Sequence, residues 1–185
     1  MTPRTLPELP ITKSNKFILP EIWSNQTCLM AIINITKDSF SDGGLFFDFD
    51  SALKHAICCI QQGCKILDFG AQSTKPGALE IGPELEIDRL LPLIKEIKLI
   101  NPDIFISVDT FHHLVAQKSL QAGADMINDV SGGRRDPRIF EVIAEYNCPY
   151  ILTHSRGNSI TMDSLTDYNN LILDIKLELE DQIDL

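Results

Sequence analysis

From residue 28 onward the chain repeats one unit: a short apolar run, a polar loop, then a stretch with one apolar face. No other feature constrains the fold as tightly. The runs are "CLMAIINI" (28–35), "KILDFG" (65–70), "DIFISVD" (103–109), "DMINDV" (125–130) and "CPYILTH" (148–154). They are brief and mostly apolar at successive positions, as parallel strands covered by helices on their faces are.

The intervening stretches carry helix signals. Asp50 is placed to cap a helix whose apolar face is Leu53, Ala56, Ile57 and Ile60, with Gly63 as its stop. A second helix opens at Pro83 and lines up Ile87, Leu90, Leu91, Ile94 and Ile97. Its early Glu84 and Glu86 and late Lys95 and Lys98 complement the helix dipole, and Pro92 is a candidate kink. A third helix is expected from His113 to Ala122 with Gly123 as its end. A fourth is expected from Asp136-Pro137, burying Ile139, Phe140 and Ile143. In "LILDIKLELEDQI" the apolar residues alternate as in a strand, but Ile172, Ile175 and Leu179 also suit a helix. Its Leu, Glu, Lys and Gln content favours helix. Residues 1–25 hold four of the ten prolines and little periodicity, and read as a tail or linker.

Five strands alternating with helices define a parallel α/β protein with right-handed crossovers. Two architectures satisfy that pattern. One is an open, doubly wound five-stranded sheet. The other is a (β/α)8 barrel of the TIM type, truncated after about five βα units, since a full barrel typically takes about 250 residues.

The polar residues help to choose. Strand one ends at Asn34 and Thr36. Strand two holds Asp68 and leads to Ser73, Thr74 and Lys75. Strand three ends at Asp109-Thr110, strand four at Asn128-Asp129, and strand five at His154 with Arg156 beyond. Polar groups after every strand suit a barrel, whose active site gathers the C-terminal ends of all strands. An open sheet binds at one switch point. Each residue also has a plainer role: Asp68 and Asp129 as turn formers or orienters, His154 as a satisfied histidine, Arg134-Arg135 as a solvated loop.

Composition narrows the function. A net charge of −10 argues against nucleic acid as a partner. No apolar run approaches the roughly 20 residues that cross a bilayer, and the first ten residues lack a signal-peptide core. Five cysteines without CxxC spacing read as reduced thiols of a cytoplasmic protein, and the adjacent Cys58 and Cys59 read as packing. There is no Walker loop or HExxH, and the pairs Gly43-Gly44 and Gly132-Gly133 do not make a dinucleotide fingerprint. Asp109 and Asn128 suit a flat heterocycle rich in N–H donors and ring acceptors. Asn34, Thr74, Lys37, Lys75 and Arg156 suit an anionic group, with Mg2+ as a candidate cofactor.

The stretches "IINITKDSFSDGG", "ILDFGAQSTKPGA", "ISVDT", "MINDVSGG" and "THSRG" resemble, in this order, those of dihydropteroate synthases, folate-pathway enzymes built on a pterin-binding β/α barrel. The resemblance runs from about Leu29 to the end of the chain and makes 26–185 a pterin-binding domain with an incomplete barrel. "SFSDGG" after the first strand separates it from the related methyltetrahydrofolate-dependent methyltransferases. The resemblance implies condensation of 6-hydroxymethyl-7,8-dihydropterin diphosphate with 4-aminobenzoate to give 7,8-dihydropteroate and pyrophosphate. It implies that Asn34 coordinates Mg2+, that Thr74 contacts the pterin diphosphate, and that Asp109 and Asn128 bind the pterin. It further implies that Asp109 stabilises the cation left when the C–O bond breaks. Loops 36–44 and 73–78, with Ser39, Phe40, Lys75 and Pro76, are the counterparts of the loops that close over the site and form the 4-aminobenzoate pocket.

The chain departs from the family at Lys37, Gln72, Lys75, Thr153 and Ser155, where Pro, Glu, Arg and two methionines are usual. Lysine for arginine keeps the charge and loses the bidentate fork. The family's later "DPGxGFxK"-like and Arg-x-His segments do not occur in these 185 residues. The resemblance implies a dihydropteroate synthase whose remaining strands lie on further sequence or on a separate chain, with these 185 residues alone expected to be inactive; the alternative is an inactive or decayed fragment of that enzyme that keeps at most weak pterin binding. The family is typically homodimeric, a state not expected of this fragment, and the tail is compatible with fusion to another folate-pathway domain.

Overall fold

The computed structural model describes residues 27–35, 45–72, 80–157 and 160–185, with the backbone alone for 45–48. Five strands run in chain order: β1 (Met30–Asn34), β2 (Ile66–Gly70), β3 (Phe105–Asp109), β4 (Met126–Asp129) and β5 (Tyr150–Leu152). Five helices alternate with them: α1 (Leu45–Gln61), α2 (Pro83–Ile100), α3 (His113–Ala122), α4 (Ile139–Tyr146) and α5 (Leu171–Ile183). Each strand is shorter than its apolar run, because the outer residues of those runs belong to the connections rather than to the ladder.

The sheet order is β1-β2-β3-β4-β5 and every pairing is parallel. That order decides between the two architectures. A doubly wound sheet reverses direction at a switch point, whereas here each strand lies beside its predecessor, as in a barrel wall. Among the described residues the sheet is an unclosed arc of the TIM-barrel type.

The register sorts residues by face, since side chains alternate along a strand. Ile33, Leu67, Phe69, Ile106, Val108 and Ile127 are buried in the main core. Each such aliphatic or aromatic side chain contributes about 1.5–3 kcal/mol when fully buried. The opposite face carries Asn34, Asp68, Gly70, Ser107, Asp109, Met126 and Asn128. The strands are thus apolar outward and largely polar inward. Ile32 shares the inner face and is 62% exposed, because β1 borders the open end of the arc.

Three helix expectations are corrected. Asp50 does not cap α1: the helix begins at Leu45, and Asp50 lies inside it. "LFFDF" contains no glycine or proline to stop the helix from extending back past Asp50. At the far end Gly63 (φ +97°) does terminate it, with Cys64 N donating to Cys59 O. In α2 the buried face is Glu86, Leu90, Leu93, Ile94 and Ile97, and Glu86 is fully buried rather than serving as a surface partner of the helix dipole. In α4, Ile139 and Val142 are buried, while Phe140 and Ile143 are half-buried. Residues 137–138 form a turn before α4, and the Asp136 side chain is held by His113 and Arg138 instead of capping. The C-terminal segment is helical, capped by Asn170, whose side chain accepts from Leu173 N.

Candidate active site

One row of the sheet register crosses the C-terminal ends of the strands. Asn34 pairs with Gly70, Gly70 with Asp109, Asp109 with Asn128, and Asn128 with Ile151. Gly70 has no side chain, and the space is used. A Cβ there would lie 3.2 Å from Asn34 Oδ1 and 3.5 Å from Asp109 Oδ2. The amide and the carboxylate therefore both border the space over the glycine. One register step below, Asp68 accepts a hydrogen bond from Asn128 Nδ2 at 3.2 Å. Its other oxygen, Oδ1, is buried and has no hydrogen-bond partner among the described residues.

This packing sets the electrostatics. Burial, then the charges of Asp68 and Asp129, push the Asp109 carboxyl up to about 7. Among the described residues no hydrogen-bond donor reaches this carboxylate, and a ligand offering N–H groups or positive charge would complement it.

The structure separates several other described polar strand ends from this cluster. Asp129 lies on the opposite side of β4, where it accepts from Ser131 N (2.7 Å), Gly133 N (2.8 Å) and the Tyr150 hydroxyl (2.7 Å). It shapes the turn after β4, as its plainer reading has it. Thr110 turns toward α2 and donates to Glu86 Oε2 at 2.9 Å. His154 Nε2 lies 2.9 Å from Glu178 Oε2 on α5, so it is a satisfied histidine. Arg156 is corrected as an anion-binding candidate. It pairs with Glu178, donates to Asp167 O at 2.7 Å, and stacks over the Tyr168 ring. Hydrogen bonds from Arg156 and then His154 outweigh burial and hold the Glu178 carboxyl down at about 2. The fifth strand thus brings Ile151, not a polar group, to the active row. Arg135 is likewise engaged, through two 2.6 Å bonds to Glu80.

Thr36, Lys37, Ser39, Phe40, Ser73, Thr74, Lys75 and Pro76 lie outside the described residues. Their flanks are described, and they converge. Arg89 of α2 donates to Ile35 O at 3.3 Å and to Ala71 O at 3.2 Å. One guanidinium therefore joins the points where β1 and β2 lead into their loops. Gln72 Oε1 accepts from Ile81 N at 2.9 Å and draws together the two ends of the second loop. Arg89 and Glu86 were not legible as site residues. The only signal was two charged residues close to the apolar face of α2.

Among the described residues no cluster of three or more His, Cys, Asp or Glu could hold a metal. Asn34 offers a single amide oxygen, exposed and beside the gap at Gly70. That arrangement fits Mg2+, which keeps several waters and takes few protein ligands when substrate phosphates supply the rest. No described helix is long and apolar enough to cross a membrane.

Comparison with known proteins agrees with this geometry. Residues 30–185 match the family model described as pterin binding enzyme. A dihydropteroate synthase of Synechocystis is 44% identical over 163 residues, covering 88% of this chain and 56% of that protein. The folic acid synthesis protein fol1 of Pneumocystis carinii is 45% identical over 177 residues, covering 94% of this chain and 24% of that longer protein. The crystal structure of a Clostridium difficile dihydropteroate synthase, determined in the presence of pteroic acid, superimposes with a TM-score of 0.78. It is 36% identical, and the match covers 86% of this chain and 58% of that one. The chain thus spans about half the length of the dihydropteroate synthases it matches. With a family match over residues 30–185 and relatives of this closeness, the chain belongs to the pterin binding enzyme family.

Proposed function

We propose that these residues form the pterin half of a dihydropteroate synthase site. The reaction joins 6-hydroxymethyl-7,8-dihydropterin diphosphate to 4-aminobenzoate and releases pyrophosphate. The observation that carries the reading is the juxtaposition of Asp109 and Asn128 in one register row, with Asp68 behind Asn128.

In this reading Asp109 accepts the pterin's N–H donors and Asn128 pairs with its ring acceptors. Asp68 fixes the Asn128 amide so that its orientation is set before binding. Departure of the diphosphate leaves a cation at the exocyclic methylene, and the Asp109 carboxylate stabilises it electrostatically. The arylamine then attacks, so no protein nucleophile is needed. Thr74, Lys75 and Pro76 contact the pterin diphosphate and 4-aminobenzoate, Ser39 and Phe40 join the 4-aminobenzoate pocket, and together these loops exclude water. Asn34 would be the residue to hold Mg2+ beside the diphosphate, and the ion would supply charge neutralisation there.

The 185 residues alone bind the pterin and do not turn it over, because this arc provides one wall of the pocket. Free cysteines fit a cytoplasmic location, and residues 1–25 fit a junction to a further folate-pathway domain.

The test uses the purified chain with 6-hydroxymethylpterin followed by fluorescence, and with both substrates and Mg2+ followed by pyrophosphate release. The expected result is saturable pterin binding, weakened at least about tenfold by Asp109→Ala, with no pyrophosphate. Absent binding, or binding indifferent to Asp109→Ala, refutes the site. Robust turnover abolished by Asp109→Ala refutes the division of labour.

A further inference from the structure

Glu86 is fully buried, yet it sits on a helix face otherwise made of leucine and isoleucine. A carboxyl in such a place is costly unless it is partnered. Its Oε2 receives the Thr110 hydroxyl at 2.9 Å. Its Oε1 lies 3.4 Å from His112 Nε2, a contact without hydrogen-bond alignment, and both atoms are buried with no hydrogen-bond partner among the described residues. Thr110 Oγ1 also accepts from His112 N at 3.1 Å, which closes a small ring of Glu86, Thr110 and His112.

The ring reaches further on both sides. Thr110 follows Asp109 directly, and its N–H bonds Asn128 O at 3.1 Å, so it extends the ladder between the two strands that carry the candidate pterin pair. The backbone carbonyl of Ile81, whose own N–H is held by Gln72, acts electrostatically on the His112 ring. Glu86 thus touches the end of β3 and, through His112, lies next to the segment that returns to β2.

We propose that Glu86 is a positioning residue for this site: clamped between Thr110 and His112, it locks the strand end bearing Asp109 to the first turns of α2 and to the Gln72–Ile81 stem. This inference rests on the reading of Asp109 and Asn128 as the pterin pair. Its chemistry suits the task. Burial raises the Glu86 carboxyl to about 7, helped by Asp109 and opposed by the Thr110 bond and Arg89. Burial also lowers His112, against Ile81, Asp136 and Glu80. Burial thus pushes both groups toward their uncharged forms, which lessens the cost of holding them inside the core.

The experiment compares Glu86→Gln, Glu86→Leu and Thr110→Val in the 185-residue chain by amide hydrogen exchange and by 6-hydroxymethylpterin binding. Glutamine keeps the acceptor for Thr110 and is expected to bind within about threefold of wild type. Leucine keeps volume and burial but loses the clamp. It is expected to speed exchange at 109–112 and 80–82 and to weaken pterin at least about tenfold, with α3 and α5 unaffected. Wild-type exchange and affinity in Glu86→Leu overturn the proposal, as does Glu86→Gln behaving like Glu86→Leu. If Glu86→Leu loses its helical circular dichroism, Thr110→Val decides the matter. It removes only the hydroxyl, and wild-type exchange at 109–112 then overturns the clamp. If the wild type binds no pterin, the site reading fails by itself, and the exchange arm still tests the positioning.

Discussion

Asn128 on β4 donates its side-chain N–H to Asp68 on β2 at 3.2 Å, spanning the intervening strand, where Ser107 stands level with Asp68 in the register. Ser107 is fully buried and small, so two polar groups from non-adjacent strands can meet across it. The bond sets which end of the Asn128 amide faces the pocket, since the N–H given to Asp68 leaves the carbonyl and the second N–H for a ligand.

Replacing Asp68 separates its two effects. Asp68→Asn keeps an acceptor for Asn128 and removes a charge that helps to raise Asp109. The Asp109 carboxyl is expected to titrate lower than about 7 in that variant, read by carbon NMR of labelled carboxyls. Asp68→Leu removes the acceptor as well and is expected to cost about tenfold in 6-hydroxymethylpterin affinity, about 1.4 kcal/mol. An unchanged Asp109 titration in Asp68→Asn would show that the Asp68 charge does not contribute to it.

Pterin binding should depend on pH through Asp109. Burial, then Asp68 and Asp129, raise this carboxyl to about 7 in the free protein. A ligand that needs the ionised form lowers it again, so binding below that pH expels a proton. Affinity is expected to rise by up to about tenfold per pH unit below 7 and to level off above it. Calorimetry in two buffers of different ionisation enthalpy should show net proton release at pH 6. Asp109→Asn should abolish both the slope and the release.

Gly133 should not tolerate a side chain. Its φ is +80°, and a Cβ would lie 2.1 Å from Phe140 Cζ. Its N–H is also held by Asp129 at 2.8 Å, which fixes the backbone there. Gly133→Ala is expected to destabilise the chain by roughly 2–4 kcal/mol, from left-handed strain plus overpacking. Thermal or urea unfolding measures it. Gly63→Ala is the control: φ is +97° with nothing within 4 Å, so only the backbone cost of about 1 kcal/mol is expected.

Acid stability should draw on Asp136. Burial pushes this carboxyl up, but hydrogen bonds from Arg138 and His113 outweigh it and hold it at about 2. Its folded value is below its unfolded one, so its contribution is complete above about pH 4 and is lost as pH falls through about 2. The contribution is about 2 kcal/mol. In Asp136→Asn the stability difference from wild type should therefore be largest at neutral pH and shrink between pH 4 and 2. A difference that is constant over that range would exclude this origin.

The strand–helix alternation was legible because apolar runs and helix stops are local. Gly63 and Gly123 end their helices as their positions announce, and "HLVAQKSLQA" is a helix over its expected length. Asn34, Asp109 and Asn128 were legible as a set because each sits at the end of such a run, and the register places them in one row. Asp50 misled because a capping residue marks a helix start only where the preceding residues cannot extend the helix. His154 and Arg156 share the strand-end position, but Glu178, more than 20 residues later, claims both.

By itself the sequence determined the elements, their alternation and the residues at the strand ends, since these follow from local periodicity and short motifs. Tertiary structure alone decided the rest. It placed each strand beside its predecessor, left Asp68, Asp109 and Asn128 on the inner face, and turned Asp129 to the other side of β4. It also buried Glu86 against Thr110 and His112. The physical reason is that a polar side chain's role is fixed by the partner that satisfies it. In these cases the partner lies on another strand or helix, at a distance along the chain that no local pattern encodes.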